Sequence, residues 1–469
     1  MKKIFIMHLS LLNKNSKLFF WLCGIALLYP FAVKGQSDLR VSDNGRYLVY
    51  QNGKPFFYLG DTAWELFHRL DREEATIYLA NRAEKGFTVI QAVVLAEHDG
   101  LHDPNPYGYT PLVNDDPAKP NEAYFEHVDY IVNKAEELGL HIAMLPTWGD
   151  KLFKNKWGVG PEIFNTQNAY TYGKFIGSRY KAKKNIIWVI GGDRNPRDNS
   201  DDVEVWRAMA KGITEAVGGN DKAMMTFHPQ TNSSKWFHED EWLDFNMWQS
   251  GHCADTKVWD KISQDYRLST IKPTMDGEPM YEEIPVCFDL EKNGYADPND
   301  IRRKAYLNLF AGAHGHTYGC NNIWQMYAPE RKRHIDATKP WFESLDLPGA
   351  NAMTLVRKLM ESRPMLERIP DQSMVVHSPD NYKERIQATR GENYAFIYSS
   401  SGLPFEVNMG KISGTKVKAS WYNPRTGQVT KGGKHTNSGL IKFTPPSQGD
   451  DQDWVLVLDD ASKKFAALK

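Results

Sequence analysis

The chain has 469 residues, enough for two or three domains with a sizeable core. Its 41% hydrophobic, 12% aromatic and 25% charged residues are ordinary globular usage, which excludes a disordered, collagen-like or polytopic membrane chain. With 57 Lys plus Arg against 58 Asp plus Glu, the basic field that attracts nucleic acid is absent.

The first 35 residues carry five Lys and no acid, and an apolar run from Leu18 to Val33 follows the basic start. This pattern predicts a secretory signal peptide over 1–35, with cleavage near Gly35 and a secreted or periplasmic product. Without it, 52 basic residues face 58 acidic ones, a net charge of −6. Cys23 lies in the run without the small residues that precede a lipidated cysteine, so a lipid or membrane anchor is the lesser alternative.

From Leu39, alternating apolar residues interrupted by Asn44-Gly45 and Asn52-Gly53 predict a small β-hairpin, because these dipeptides supply the positive φ of tight turns. Eight strand candidates then follow in order: Phe56–Leu59, Thr88–Val94, His141–Pro146, Ile186–Ile190, Met224–Phe227, Asp244–Trp248, Pro273–Met275 and His314–Tyr318. Amphipathic stretches such as Arg72–Lys85, Phe125–Leu138 and Ala169–Tyr180 lie between them. This alternation predicts a (β/α)8 TIM barrel, an α/β fold, over 36–364. Past Pro364 the helical pattern stops, and strand-like runs with turn signals predict a β-sandwich over 365–469.

In a barrel the residues that end each strand gather at the C-terminal mouth. Here they are Asp61 and Trp64, Glu97 and His98, Trp148, Asp193 with Arg194, His228, Gln249, Glu278, and then His316, Tyr318 and Trp324. Acids and aromatic rings around one mouth are the equipment of glycoside cleavage. That reaction needs one carboxyl to protonate the leaving oxygen and a second to attack or to activate water. Asp193, at the end of IIWVIGGD, is the expected acid/base, although a turn or N-cap role suits an Asp after Gly-Gly as well. Glu278, between Gly277 and Pro279, is the expected nucleophile, with Asp276, Glu282 and Glu283 as rivals. Retention is the default for carboxylates on the fourth and seventh strands. Asp61, Trp64, Glu97, His98, Trp148, Arg194, His228, Gln249, His316 and Trp324 are expected to bind sugar. Trp248 is a further candidate stacking surface.

His314-x-His316 is the one metal-like pair, but it lies at the eighth strand with no H-E-x-x-H motif, so neither metal nor other cofactor is expected. Cys253, Cys287 and Cys320 read as buried thiols, with one disulfide as the alternative. The expected partner is an oligosaccharide or polysaccharide substrate. A barrel that only binds carbohydrate or mediates adhesion is the rival reading.

Several motifs in order carry a resemblance: YLGDTAWELFHRL at 58–70, FTVIQAVVLAEHDG at 87–100, WVIGGDRN at 188–195, FHPQ at 227–230 and DGEPMYE at 276–282. Together they resemble glycoside hydrolase family 140, the apiosidase-like catalytic domain. WYNPRTG at 421–427 resembles a collagen-binding-like sandwich that commonly follows it. The resemblance implies a (β/α)8 barrel that cleaves apiose linkages in the pectin rhamnogalacturonan II. It implies the acid/base role for Asp193 in GGDRN and the nucleophile role for Glu278 in DGEP. Related retaining barrels carry Asn-Glu after the fourth strand where this chain has Gly-Asp.

Overall fold

The computed structural model describes residues 39–468, so the expected leader and Cys23 lie outside the described residues. The described residues begin with three antiparallel strands, Leu39–Val41, Leu48–Tyr50 and Pro55–Phe56, where two were expected. Gly45 and Gly53 make the turns with φ of 70° and 81°.

The barrel strands are β1 (Tyr58–Thr62), β2 (Val89–Leu95), β3 (His141–Thr147), β4 (Ile186–Gly191), β5 (Met225–His228), β6 (Asn246–Trp248), β7 (Thr274–Asp276) and β8 (Gly315–Tyr318). All seven pairings are parallel, in the order β5-β4-β3-β2-β1-β8-β7-β6. Asp244 closes the remaining seam: its N–H donates to Met225 O at 2.8 Å, and its carboxylate accepts from Met225 N–H at 2.7 Å. Each expected strand is found within a few residues. The largest shift is at the first, where Pro55–Phe56 belongs to the preceding sheet.

Long helices α1 (Arg72–Glu84), α2 (Glu122–Glu137), α3 (Thr166–Tyr180), α4 (Asp202–Val217), α5 (Val258–Tyr266), α6 (Pro298–Phe310) and α7 (Pro348–Glu361) surround the strands. A reciprocal Asp71–Glu74 capping box starts α1, which fixes the helix that later proves to hold Asp61. Among the described residues no helix is long and apolar enough to cross a membrane.

The C-terminal strands are β9 (Ile386–Arg390), β10 (Tyr394–Ser399), β11 (Phe405–Asn408), β12 (Lys416–Tyr422), β13 (Val429–Thr436), β14 (Leu440–Phe443) and β15 (Trp454–Asp460). Ile369–Pro370 and β9, β10, β15, β12 and β13, in that order, form an antiparallel sheet, with β11 and β14 as a second, smaller one. Every residue of β10 is buried because both faces of its sheet are covered. Ala395 and Ile397 pack in the sandwich core, whereas Tyr394, Phe396 and Tyr398 join the barrel core. Tyr306 of α6 stacks on Tyr398 at 4.9 Å, and Arg302 pairs with buried Asp453 at 3.1 Å. The sandwich thus braces the barrel wall.

The cysteine expectation is corrected. Cys253 and Cys287 form a disulfide, and only Cys320 is a free buried thiol among the described residues. The two partners are 34 residues apart, in the loops after β6 and β7, which sequence spacing alone does not bring together.

Candidate active site

The site is built around a sharp turn at the end of β4. Gly191, Gly192 and Asp193 have consecutive φ values of 91°, 137° and 50°. A Cβ at Gly191 would fall 2.6 Å from His228 O, and one at Gly192 would fall 2.9 Å from Gly149 N, so only glycine fits either position. Asp193 is then held in the left-handed region that Asp tolerates better than most residues, with its carboxylate over the mouth.

Three donors hold that carboxylate: Gln249 Nε2 at 2.8 Å on Oδ1, with Trp157 Nε1 and Arg194 Nη1, both at 2.9 Å, on Oδ2. Even so, burial, followed by the charge of Glu278, pushes the Asp193 pKa above its ordinary value; the three donors only partly offset this. Asp193 also donates its backbone N–H to His228 Nδ1 at 3.3 Å.

That bond fixes the histidine tautomer, leaving Nε2 as the protonated nitrogen. Nε2 faces Glu278 Oε2 at 3.1 Å, and His252 Nε2 lies 3.4 Å from Oε1. Burial alone would raise the Glu278 pKa, but the His228 and His252 imidazoles beside its two oxygens outweigh it and hold the group at about 2. The N–H of His228 is off the line to Oε2, so this buried oxygen keeps an unpaired lone pair. Half-buried Asp193, by its backbone N–H, and buried Glu278, by its carboxyl, thus meet at one imidazole, with their carboxyl pKa values displaced in opposite directions.

The rivals of Glu278 are all committed elsewhere. Asp276 faces α6, where Asn308 Nδ2 donates to it at 3.0 Å. Glu282 accepts from Tyr318 Oη at 2.6 Å and Gly349 N at 2.8 Å, and Glu283 pairs with Lys339 at 2.6 Å.

Several expected sugar contacts are corrected. Asp61 points away from the mouth: strand alternation turns it toward α1, where Tyr78 Oη and Arg82 Nε both bond its Oδ2 at 2.5 Å. His316 is in register with Asp276 and Leu59, the helix-facing positions, and is buried. Its neighbour His314 sits against Phe245 and Tyr58, with Nδ1 2.9 Å from Thr274 O.

The four expected stacking tryptophans, Trp64, Trp148, Trp248 and Trp324, are all buried. Trp64 and Trp148 clamp His228, with ring centroids 5.3 and 5.9 Å from it, and so serve as floor. Trp248 donates to Asp265, and Trp324 donates to Asn321 while lying against His98. Arg194 is buried and spends its donors on Asp193 and on the carbonyls of Phe153 and Lys154, so it positions the Asp193 side chain.

Glu97 stays at the mouth, half-buried. Burial and then the charges of Asp193, Asp150 and Glu65 raise its pKa. His98 stacks on His334 at 3.6 Å, and its Nε2 has no partner. Gln249 likewise keeps Oε1 unpartnered after bonding Asp193.

Sequence reasoning missed His252, Trp157 and Tyr281. His252 precedes Cys253, accepts the Cys287 N–H at its carbonyl at 2.9 Å, and packs its ring 4.5 Å from that of Tyr281. A residue next to a cysteine in the loop after a barrel strand was the available signal. Trp157 lies in a loop ten residues past β3, where no strand end points to it. Unpartnered polar atoms gather here: Trp148 Nε1, Gln249 Oε1, His252 Nδ1, Glu278 Oε2 and Tyr281 Oη. Such atoms demand an explanation, and hydroxyl groups of a bound sugar supply one.

Comparisons with known proteins agree with this geometry. A family profile described as "Apiosidase-like, catalytic domain" matches residues 42–367, and one described as "Putative collagen-binding domain of a collagenase" matches 369–459. A solved glycoside hydrolase is 36% identical, with a TM-score of 0.84 over 92% of this chain and 98% of its own. A glycoside hydrolase family 5 structure from Bacteroides vulgatus is 34% identical, with a TM-score of 0.84 over 92% of this chain and 95% of its own. A third glycoside hydrolase structure, also from Bacteroides vulgatus, shares the fold at 16% identity and a TM-score of 0.63. No curated protein matches. The chain belongs to the apiosidase-like catalytic-domain family and is a glycoside hydrolase.

Proposed function

We propose that this glycoside hydrolase is a retaining apiosidase acting on the rhamnogalacturonan II side chains of pectin, with Asp193 as acid/base and Glu278 as nucleophile. The observation that carries the reading is the meeting of Asp193 and Glu278 at His228, the first through its backbone N–H at 3.3 Å and the second through its carboxylate at 3.1 Å, in a chain of the apiosidase-like family.

Each group is suited to its step. In the first, Glu278 Oε2 attacks the anomeric carbon while Asp193 gives its proton to the departing oxygen. The raised Asp193 pKa favours the protonated form that the first step uses, and the lowered Glu278 pKa keeps the nucleophile ionised. Once Asp193 is ionised, Arg194, Gln249 and Trp157 stabilise it. In the second step Asp193 takes a proton from water, which attacks the same carbon and frees Glu278.

Lys154 and Lys156, exposed on the loop that carries Trp157 and in no ion pair among the described residues, suit a polyanionic polymer such as pectin. The basic, apolar leader is the reason we place the enzyme outside the cytoplasm, where such a polymer is met. Incubation with rhamnogalacturonan II fragments, followed by sugar analysis, tests the reading. Free apiose is the expected product; release of a different sugar, or of none, contradicts it.

A further inference from the structure

The four tryptophans that sequence places at strand ends are buried, but Trp157 is 48% exposed, the most exposed tryptophan among the described residues. Its placement is specific. Nε1 donates to Asp193 Oδ2 at 2.9 Å, and the Arg194 guanidinium lies over the ring, 4.9 Å from its centroid. The loop that presents it is pinned from both sides. Arg194 bonds the carbonyls of Phe153 and Lys154 at 3.0 and 3.1 Å, and Asp150 Oδ2 accepts from Val159 and Gly160 N–H at 3.1 and 2.8 Å. Asp150 is itself fixed by buried Lys151 at 2.7 Å. Gly158 has no alternative, since a Cβ there would fall 2.2 Å from Lys154 O. A large apolar ring held in water beside the acid, by buried charges beneath it, is poorly explained by packing alone.

We propose that Trp157 is the platform of a leaving-group subsite, taking the ring of the sugar that departs when Asp193 protonates the scissile oxygen. The acid must come within hydrogen-bond reach of that oxygen, so the sugar attached to it lies next to the groups that bond the acid. Trp157 is the one aromatic among them, and the C–H face of a sugar ring stacks on indole. The ligand class is therefore the aglycone residue of an oligosaccharide. The inference rests on the Asp193 acid role proposed above.

The test uses the full chain carrying Glu278→Gln, which blocks turnover, and calorimetric titration with rhamnogalacturonan II fragments. Trp157→Ala is expected to weaken binding about tenfold, and Trp157→Phe, which keeps a ring but loses the N–H, by no more than about threefold. Methyl apioside, whose aglycone is too small to reach the ring, is expected to bind all three forms alike. Equal affinity of the Ala variant and its parent for the fragments overturns the subsite, as does an equal loss for methyl apioside. The enzyme with Glu278 intact is assayed in parallel. If it releases no sugar while the fragments still bind in a Trp157-dependent way, the hydrolase mechanism fails and the leaving-group role with it, and Trp157 is a sugar-binding platform only. Fragments that bind neither parent nor variants overturn both.

Discussion

Replacing His252 isolates how the protein keeps Glu278, the proposed nucleophile, ionised. The His252 imidazole lies 3.4 Å from Glu278 Oε1 and is one of two groups that hold the Glu278 pKa at about 2 against burial. Hydrogen bonds to charged groups contribute about 1.5–3 kcal/mol, and one pKa unit is about 1.4 kcal/mol. His252→Ala should therefore raise the Glu278 pKa by about 1 unit, the low end being apt for a contact of this length. The kcat/KM profile of the free enzyme reports that group as its acid limb, so the limb should move upward by the same amount while the basic limb, set by Asp193, moves little.

Stability should follow the same linkage. A carboxyl whose folded pKa lies below its unfolded value contributes stability that is complete above about 4.5 and lost as pH falls toward 2, on the order of 3 kcal/mol for Glu278. Denaturation curves at pH 7 should show the variant less stable by about 1 kcal/mol, with the difference closing near pH 2–3. His252→Asn, which keeps an N–H donor, should recover part of both effects. An acid limb that stays in place in the Ala variant, with only a uniform loss of rate, would refute this account of Glu278.

Asp61→Asn should cost about 3–5 kcal/mol in denaturant unfolding while leaving kcat/KM of the folded fraction near wild type, because it breaks the buried pair with Arg82 and touches no substrate. Removing the disulfide with Cys253→Ser and Cys287→Ser should cost about 4 kcal/mol by loop-closure entropy. It should also lower kcat/KM several-fold, since the bridge ties together the two loops that hold His252 on Glu278. Unaltered kinetics in the double variant would separate the bridge from the site.

The barrel was legible because its signals are local. Eight apolar runs with helical patterns between them are periodicities that any window of the sequence displays, and the Gly-Gly before Asp193 announces a turn that β-carbons forbid. The position of Glu278 beside His228 and His252 was legible for a similar reason, since it stands between Gly277 and Pro279 past β7. Which side of a strand end a residue faces was harder. Asp61 sits at the end of β1 and His316 within β8, but the two-residue alternation sends both to the helices, and a one-residue shift of register would have sent them inward.

The tryptophans failed differently. A ring near a mouth is equally consistent with floor and platform, and Trp64 and Trp148 were taken up in clamping His228. Trp157, His252 and the Cys253–Cys287 bridge arise from loops meeting in space, information carried by no single stretch of chain.

Azide rescue tests the paired roles of Asp193 and Glu278 most directly. With 4-nitrophenyl apioside, whose leaving group needs no proton, Asp193→Ala still forms the glycosyl-enzyme, and azide should intercept it to give an apiosyl azide of the substrate's own anomeric configuration. Glu278→Ala cannot form that intermediate, so azide should enter from the vacated face and give the opposite configuration. The same configuration from both variants, or the two outcomes exchanged, would contradict the assignment.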